Sequence, residues 1–404
     1  MKRKNVVAAS ILVAALGYFV DIYDLILFSI VRIKSLRGIG VSETELLSQG
    51  VFLLNMQMAG MLLGGILWGV LGDKKGRLSV LFGSIFLYSA ANIANSFVHT
   101  VPSYALLRFI AGIGLAGELG AGITLVSEVM PKETRGYGTM IVATIGILGA
   151  VVAALVGDSF DWRVAYQVGG GMGILLLFLR IGVYESGLFD AIKTQAVKRG
   201  SFSTIFRSSQ SALKYLRCVL IGMPIWFVIG ILITFSPEFG KALHLAQVPD
   251  PGKAVMFAYI GLALGDFTSG SLAQFLKSRK KIAASFILLT GLFIAFYLKN
   301  EGASLGVFYA NCLALGFAVG YWAVFVTTAS EQFGTNLRAT VTTTTPNFIR
   351  GSVVPVTALF RYLEQQVGII DSAFYVGALC LLIGLLALWH VRETFGRDLD
   401  FIEE

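Results

Sequence analysis

Charge is scarce in this chain of 404 residues: Asp, Glu, Lys and Arg together make up 14%, while 56% is hydrophobic and mean hydropathy is +0.76. A soluble domain carries roughly a quarter charged residues, so this composition excludes an ordinary water-soluble fold. Cysteine is nearly missing as well. Cys218, Cys312 and Cys380 lie far apart, in or beside apolar segments, and no disulfide framework or zinc pattern can be drawn from them. The three histidines, His99, His244 and His390, fall near segment ends, which disfavours a histidine-based catalytic or metal centre. No metal and no cofactor is expected. An ATP-binding motif is also lacking. The run "GGGMG" at Gly169–Gly173 sits inside an apolar stretch, without the strand–turn–helix context of a nucleotide loop, and reads as close helix packing.

What is present is a succession of apolar runs about twenty residues long, the mark of a polytopic helical membrane protein. Read against the charged breaks they give twelve spans: 6–31, 47–71, 78–98, 102–129, 137–157, 164–184, 215–236, 254–276, 282–298, 303–329, 340–361 and 369–391. The basic start "MKRK" precedes an apolar stretch too long for a signal peptide, so it is read as an uncleaved first span. "DKKGR", "PKETRG", "KSRKK" and the basic central segment all fall on one side of the membrane. This positive-inside bias accounts for the net charge of +8 without invoking a nucleic acid. The expectation is an all-α membrane protein of twelve transmembrane helices in two pseudo-symmetric six-helix bundles. The bundles are 1–185 and 215–404, joined by a cytoplasmic linker, 186–214.

An internal repeat supports the division. "SEVMPKETRGYGT" begins at Ser127 and "SEQFGTNLRATVT" at Ser330; each sets Arg seven residues after Glu and Thr four after the Arg. Two halves related by a parallel repeat, with a path between them, is a transporter architecture.

These residues resemble the major facilitator superfamily. "GVLGDKKGR" (Gly69, Asp73, Gly76, Arg77) is similar to its hallmark loop between the second and third helices, echoed in degraded form by "GSLAQFLKSRK" from Gly270. "RFIAGIGLAGELG" (Arg108, Gly112, Gly114) resembles the fourth-helix pattern, and "DWRVAY" at Asp161 the entry to the sixth. "EVMPKETRG" and "RETFGRDLD" resemble the sugar-porter and metabolite:proton-symporter branches. The resemblance implies gating roles for Gly69, Asp73, Gly76 and Arg77, and for a charge network of Glu128, Arg135, Glu331, Arg338 and Glu393. The alternative is that these charges only set topology.

Six charges lie toward the middle of the spans: Asp21, Asp24, Arg108, Glu118, Asp266 and Arg350. Each costs roughly 2.5–3.5 kcal/mol at mid-membrane on insertion scales, so each demands a polar surface. Asp21 and Asp24 share one helical face. In the superfamily fold all six would lie on cavity-forming helices. Asp24 sits about 12 Å and Arg108 about 9 Å from the same membrane face, at 1.5 Å per residue, and they are expected to pair. Asp266 and Arg350, both near mid-span, are expected to form a second pair, leaving Glu118 unpartnered. A partly dry cavity favours the protonated form of a carboxyl, which a proton carrier requires. Asp21 or Glu118, then Asp266, are the candidates. Asn55, Gln57, Asn311, Tyr321, Trp322, Thr342–Thr345 and Asn347 add polar groups, although Tyr321 and Trp322 also suit plain packing. Pro346 is expected to break the eleventh span beside Arg350.

The expected function is proton-coupled import of a small polar metabolite by alternating access, with an arginine in each half favouring a carboxylate. A cationic or zwitterionic substrate, or proton-driven export, are the alternatives. No nucleophile–base set argues for an enzyme. The expected partners are substrate, protons and lipid, for a monomer in a bacterial inner membrane with both termini cytoplasmic.

Overall fold

In a bilayer, every backbone polar group must find its partner within the protein, and helices meet that demand from local sequence alone. The chain accordingly folds into helices throughout the region described by a computed structural model, residues 3–75, 77–120, 122, 130, 135–185 and 205–396. The first half comprises α1 (Arg3–Gly38), α2 (Leu46–Lys75), α3 (Arg77–Asn95), α4 (Val101–Leu115), α5 (Arg135–Ser159) and α6 (Trp162–Glu185). The second begins with α7 (Ser209–Ile221) and α8 (Met223–Phe227), which run into a π-helical turn, Val228–Ile233, and then α9 (Ser236–Ala242). α10 (Pro251–Phe275), α11 (Arg279–Leu298), α12 (Leu305–Val319), α13 (Trp322–Glu331), α14 (Thr335–Gly351) and α15 (Val353–His390) complete it.

Among the described residues eight helices are long and apolar enough to span a membrane, or nine if the bent pair Ser209–Ile221 and Met223–Ile233 is one span. The sequence reading of twelve differs for identifiable reasons. α3 contributes only a shorter apolar helix, Val80–Asn95. α4 is described as a helix to Leu115 only. Thr340–His390 counts as one span although Gly368, at φ +82°, divides α15 in two. Pro346 does not break its helix: α14 runs through it, and the chain breaks instead at Ser352.

The two halves use the same packing device. α2 lies against α4, and α10 against α12. A Cβ at Gly60 would collide with the Phe109 carbonyl, and one at Gly261 with the Leu313 carbonyl. Lipid supplies no hydrophobic drive between helices, so this close backbone approach provides van der Waals contact in its place. Between the halves, α2 packs on α14 and α5 on α10, leaving α1 and the broken helices around the centre.

Candidate functional site

Arg350, on α14, is 1% exposed and lies between two indoles: its guanidinium carbon is 5.8 Å from the Trp226 ring centroid (α8) and 5.8 Å from that of Trp322 (α13). Its acidic neighbour is Asp21 on α1, in the other half, at 3.9 Å. That distance is an ion pair without a hydrogen bond. Both Asp21 oxygens, and Nε and Nη1 of Arg350, are buried with no hydrogen-bond partner among the described residues. The Tyr18 hydroxyl stands within electrostatic reach of Arg350, Asp21 and Asp266, and Tyr259 within reach of Arg350 and Asp21. A guanidinium and a carboxylate held apart in a dry aromatic setting leave donors and acceptors unspent at high cost, which marks the place for a ligand or a proton.

The expected Asp266–Arg350 pair is not formed. Asp266 Oδ1 accepts a hydrogen bond of 3.1 Å from the backbone N–H of Ala323. The reason is the break between α12 and α13 at Gly320 and Tyr321, which frees the first N–H groups of α13 inside the membrane; a carboxylate is their natural cap. Glu118 is not unpartnered either. Arg180 Nη1 donates to its Oε2 at 3.1 Å and Nη2 to its Oε1, so the two form a bidentate buried pair linking the α4 strand of chain to α6. Arg180 stands one turn inside the end of the 164–184 span, and an arginine at that depth is the sequence signal for a buried partner.

Asp24 and Arg108 face the same interior of the first half but do not form an ion pair within 4 Å. Arg108 Nη2 donates to Gln57 Oε1, and its guanidinium carbon lies 5.3 Å from the Phe28 ring and 5.7 Å from that of Tyr166. Gln57 in turn donates to the Leu25 carbonyl at 3.2 Å. Space for the Asp24 carboxylate exists because Gly169 has no Cβ; the glycine run thus serves packing, as its context indicates.

Several other polar candidates bond within the fold, although Thr345 Oγ1 and Asn347 Oδ1 are buried without a hydrogen-bond partner among the described residues. Tyr321 donates to the Ile221 carbonyl at 3.0 Å, and Asn311 to the Val307 carbonyl of its own helix at 3.2 Å. Asn347 donates to the Ala116 carbonyl at 2.8 Å, and Asn55 accepts from Thr357 at 2.7 Å. Trp322 is the one of these that reaches Arg350.

The halves meet on both sides of this centre. Toward the face carrying the basic loops, Asn347 of α14 holds the chain leaving α4. Toward the opposite face lies a pair that sequence reasoning missed: Arg32 of α1 makes a two-pronged bridge to Glu238 of α9, with 2.7 Å contacts. Arg32 also lies 4.6 Å from the Phe235 ring, and Ser29 is 3.0 Å from Thr234. Charges on the first helix of each half, at matching height, were the available signal. Glu238→Gln should loosen this closure. In a cysteine-free background, Ser29→Cys is expected to react several-fold faster with an impermeant maleimide when Glu238→Gln is added; unchanged labelling would mean that the bridge does not hold that face.

At the basic face, Arg279 pairs with Glu331 at 2.7 Å. Glu393 caps the start of α11, accepting from Ser278 Oγ and from the N–H groups of Arg279 at 3.1 Å and Lys280 at 3.2 Å. Burial opposes its ionisation, but these donors outweigh burial and hold the carboxyl below its usual range. The linkage sign follows: the stabilisation is complete above the ordinary carboxylate range and is lost as pH falls through the lowered value. Glu393→Gln should therefore lower the melting temperature at neutral pH, with the gap to wild type closing below about pH 4. A gap that widens on acidification would contradict the cap. Gly69 packs near Thr344. Gly76 and Glu128, and the side chains of Asp73, Arg77, Arg135 and Arg338, lie outside the described residues.

Comparison with known proteins follows the same lines. A model of the Major Facilitator Superfamily matches residues 5–356. The niacin transporter NiaP of Acinetobacter baylyi is 26% identical over 361 residues, covering 81% of this chain and 80% of that protein. The sialic acid transporter NanX of Escherichia coli is 24% identical, covering 92% of each. Among solved structures, a D-xylose–proton symporter superposes with a TM-score of 0.71 at 17% identity, over 96% of this chain and 98% of that one. That last likeness establishes the fold.

Proposed function

The chain belongs to the Major Facilitator Superfamily, and on that premise we propose that it is a proton-coupled symporter importing a small carboxylate by alternating access. Transport, not catalysis, is the activity of its relatives. The observation that carries the reading is Arg350, buried between Trp226 and Trp322 and faced across the two halves by Asp21 at 3.9 Å. Arginine keeps its proton and offers a planar fork suited to a carboxylate. A substrate anion at Nη1 and Nη2 takes Asp21's place as the counter-charge. Asp21, left without a cation in a dry interior, then takes up a proton. One anion and one proton so enter together, and the central charge stays balanced while the halves exchange access. The names of the two transporters above support an acid: niacin and sialic acid both carry a carboxyl group.

Of the other acids, Glu118 is engaged by Arg180 and Asp266 caps α13, while Asp24, also without a hydrogen-bond partner among the described residues, forms no ion pair with Arg350; Asp21 is the acid that a substrate at Arg350 displaces. The basic face is cytoplasmic by the positive-inside rule, which places both termini there, in the inner membrane of a bacterium, and the protein acts as a monomer. The bundles are 1–185 and 215–404, with 186–214 between them, of which residues 209–214 already form the start of α7.

Reconstituted protein should take up a carboxylate faster under an inward proton gradient and lose that stimulus with a protonophore, measured against liposomes carrying Arg350→Ala to subtract passive entry of the free acid. Strict sodium dependence, or uptake indifferent to the proton gradient, would overturn proton coupling. Replacing Asp73 or Arg77 is expected to slow this transport while leaving substrate affinity within a few fold, because the loop acts on conformational exchange. A loss of affinity as large as that from Arg350 would place the loop in the binding site instead.

A further inference from the structure

Several features of the centre narrow the substrate beyond a carboxylate. Resting on the reading above, we infer that the substrate is a planar aromatic monocarboxylate of one ring, held by Arg350 with its ring against Trp226 and Trp322. The first argument is the lining. Arg350 is bordered by two indoles, with the phenols of Tyr18 and Tyr259 also near it. A carboxylate taken bidentately lies in the plane of the guanidinium. In an aromatic acid the ring is conjugated to the carboxylate and continues that plane, giving a flat slab that stacks or meets ring edges at the indoles. A saturated ring is puckered and offers no π-face.

The second argument is what the centre withholds. A polyol needs several side-chain amides and hydroxyls to satisfy its hydroxyl groups, yet the Asn311, Gln57 and Asn55 amides and the amide nitrogen of Asn347 are hydrogen-bonded within the protein. A cationic substrate seeking an aromatic cage meets indoles that already flank the Arg350 cation, and a second cation there is repelled. A second carboxylate finds no further arginine beside Arg350: Arg180 is paired with Glu118, and Arg108, whose Nη2 donates to Gln57 while Nε and Nη1 stay unpartnered among the described residues, lies against Phe28 and Tyr166 in the first half. Beside Arg350, Trp226 Nε1 points to ring polarity: it is buried and without a hydrogen-bond partner among the described residues, a donor that a heteroaromatic nitrogen or ring oxygen would satisfy.

The test is ligand binding to the purified full chain, by thermal shift and by tryptophan-fluorescence titration. The probes are benzoate, nicotinate, cyclohexanecarboxylate, acetate, benzamide, D-xylose and glycine betaine. Benzoate or nicotinate should bind at least tenfold more tightly than cyclohexanecarboxylate and acetate, and benzamide, D-xylose and glycine betaine should not bind. Trp322→Leu should weaken benzoate at least tenfold and change cyclohexanecarboxylate less than threefold, while Trp322→Phe restores most of the loss, separating a ring contact from a folding defect. Equal binding of cyclohexanecarboxylate and benzoate would overturn the aromatic inference and leave the carboxylate reading standing. Binding of D-xylose or glycine betaine in place of every carboxylate, or no binding by any carboxylate, would overturn both.

Discussion

Arg350→Lys should reduce affinity for a carboxylate by roughly tenfold to a hundredfold, the ~1.5–3 kcal/mol of a charge-assisted hydrogen bond lost with the planar fork. Folding should change little, because the charge facing Asp21 remains. Arg350→Ala is a different experiment. It leaves Asp21 buried beside no cation, and breaking a buried pair in this way costs about 3–5 kcal/mol. Asp21→Asn added to Arg350→Ala should recover much of that stability, since the amide carries no charge to strand, and should recover no transport. Melting curves and uptake on the same four proteins decide the matter. If the double variant is no more stable than Arg350→Ala, Asp21 is not the partner of Arg350. If Arg350→Lys transports a carboxylate normally, Arg350 is not the anion's ligand.

The second large effect belongs to Asp21 alone. Asp21→Asn fixes the central site in the state that a protonated Asp21 would have, so the anion can bind and the loaded carrier can turn. Concentrative uptake should fall to the background of empty liposomes, while exchange of labelled for unlabelled substrate continues within a few fold of wild type. Loss of exchange together with net uptake would make Asp21 a substrate ligand or a structural residue. Asp266→Asn is expected to behave differently, losing stability through the weakened cap of α13 rather than uncoupling transport.

That the mid-span charges are buried was legible in the sequence, although Arg32 and Arg180, near span ends, are buried too; which charges meet was not legible. A charge inside an apolar run announces itself by its cost, and Asp21, Asp24, Arg108, Glu118, Asp266 and Arg350 are all buried. Counting residues from a span end yields height along the membrane normal. It yields neither the azimuth of a side chain nor the demands of a neighbouring backbone. Asp266 and Arg350 share a height, yet the carboxylate is claimed by the N–H of Ala323, freed by a helix break that no proline marks. The proline that is present, Pro346, sits inside a continuous helix. Trp226 escaped notice for a related reason: in a chain that is 12% aromatic, one tryptophan in an apolar span carries no signal until Arg350 is seen beside it. The repeat was the more reliable guide. It predicted two similar halves, and the matching glycine contacts at Gly60 and Gly261 show the same device used in each.

The exchange of counter-ions at Arg350 is the claim on which the mechanism rests, and proton uptake on ligand binding tests it most directly. The purified protein, in weak buffer near neutral pH, is titrated with the carboxylate that raises its melting temperature most, and protons taken from solution are counted by calorimetry in buffers of different ionisation enthalpy. Wild type should bind close to one proton per anion, and Asp21→Asn should bind the anion with none. Binding without proton uptake in wild type, or uptake undiminished in Asp21→Asn, would contradict the account.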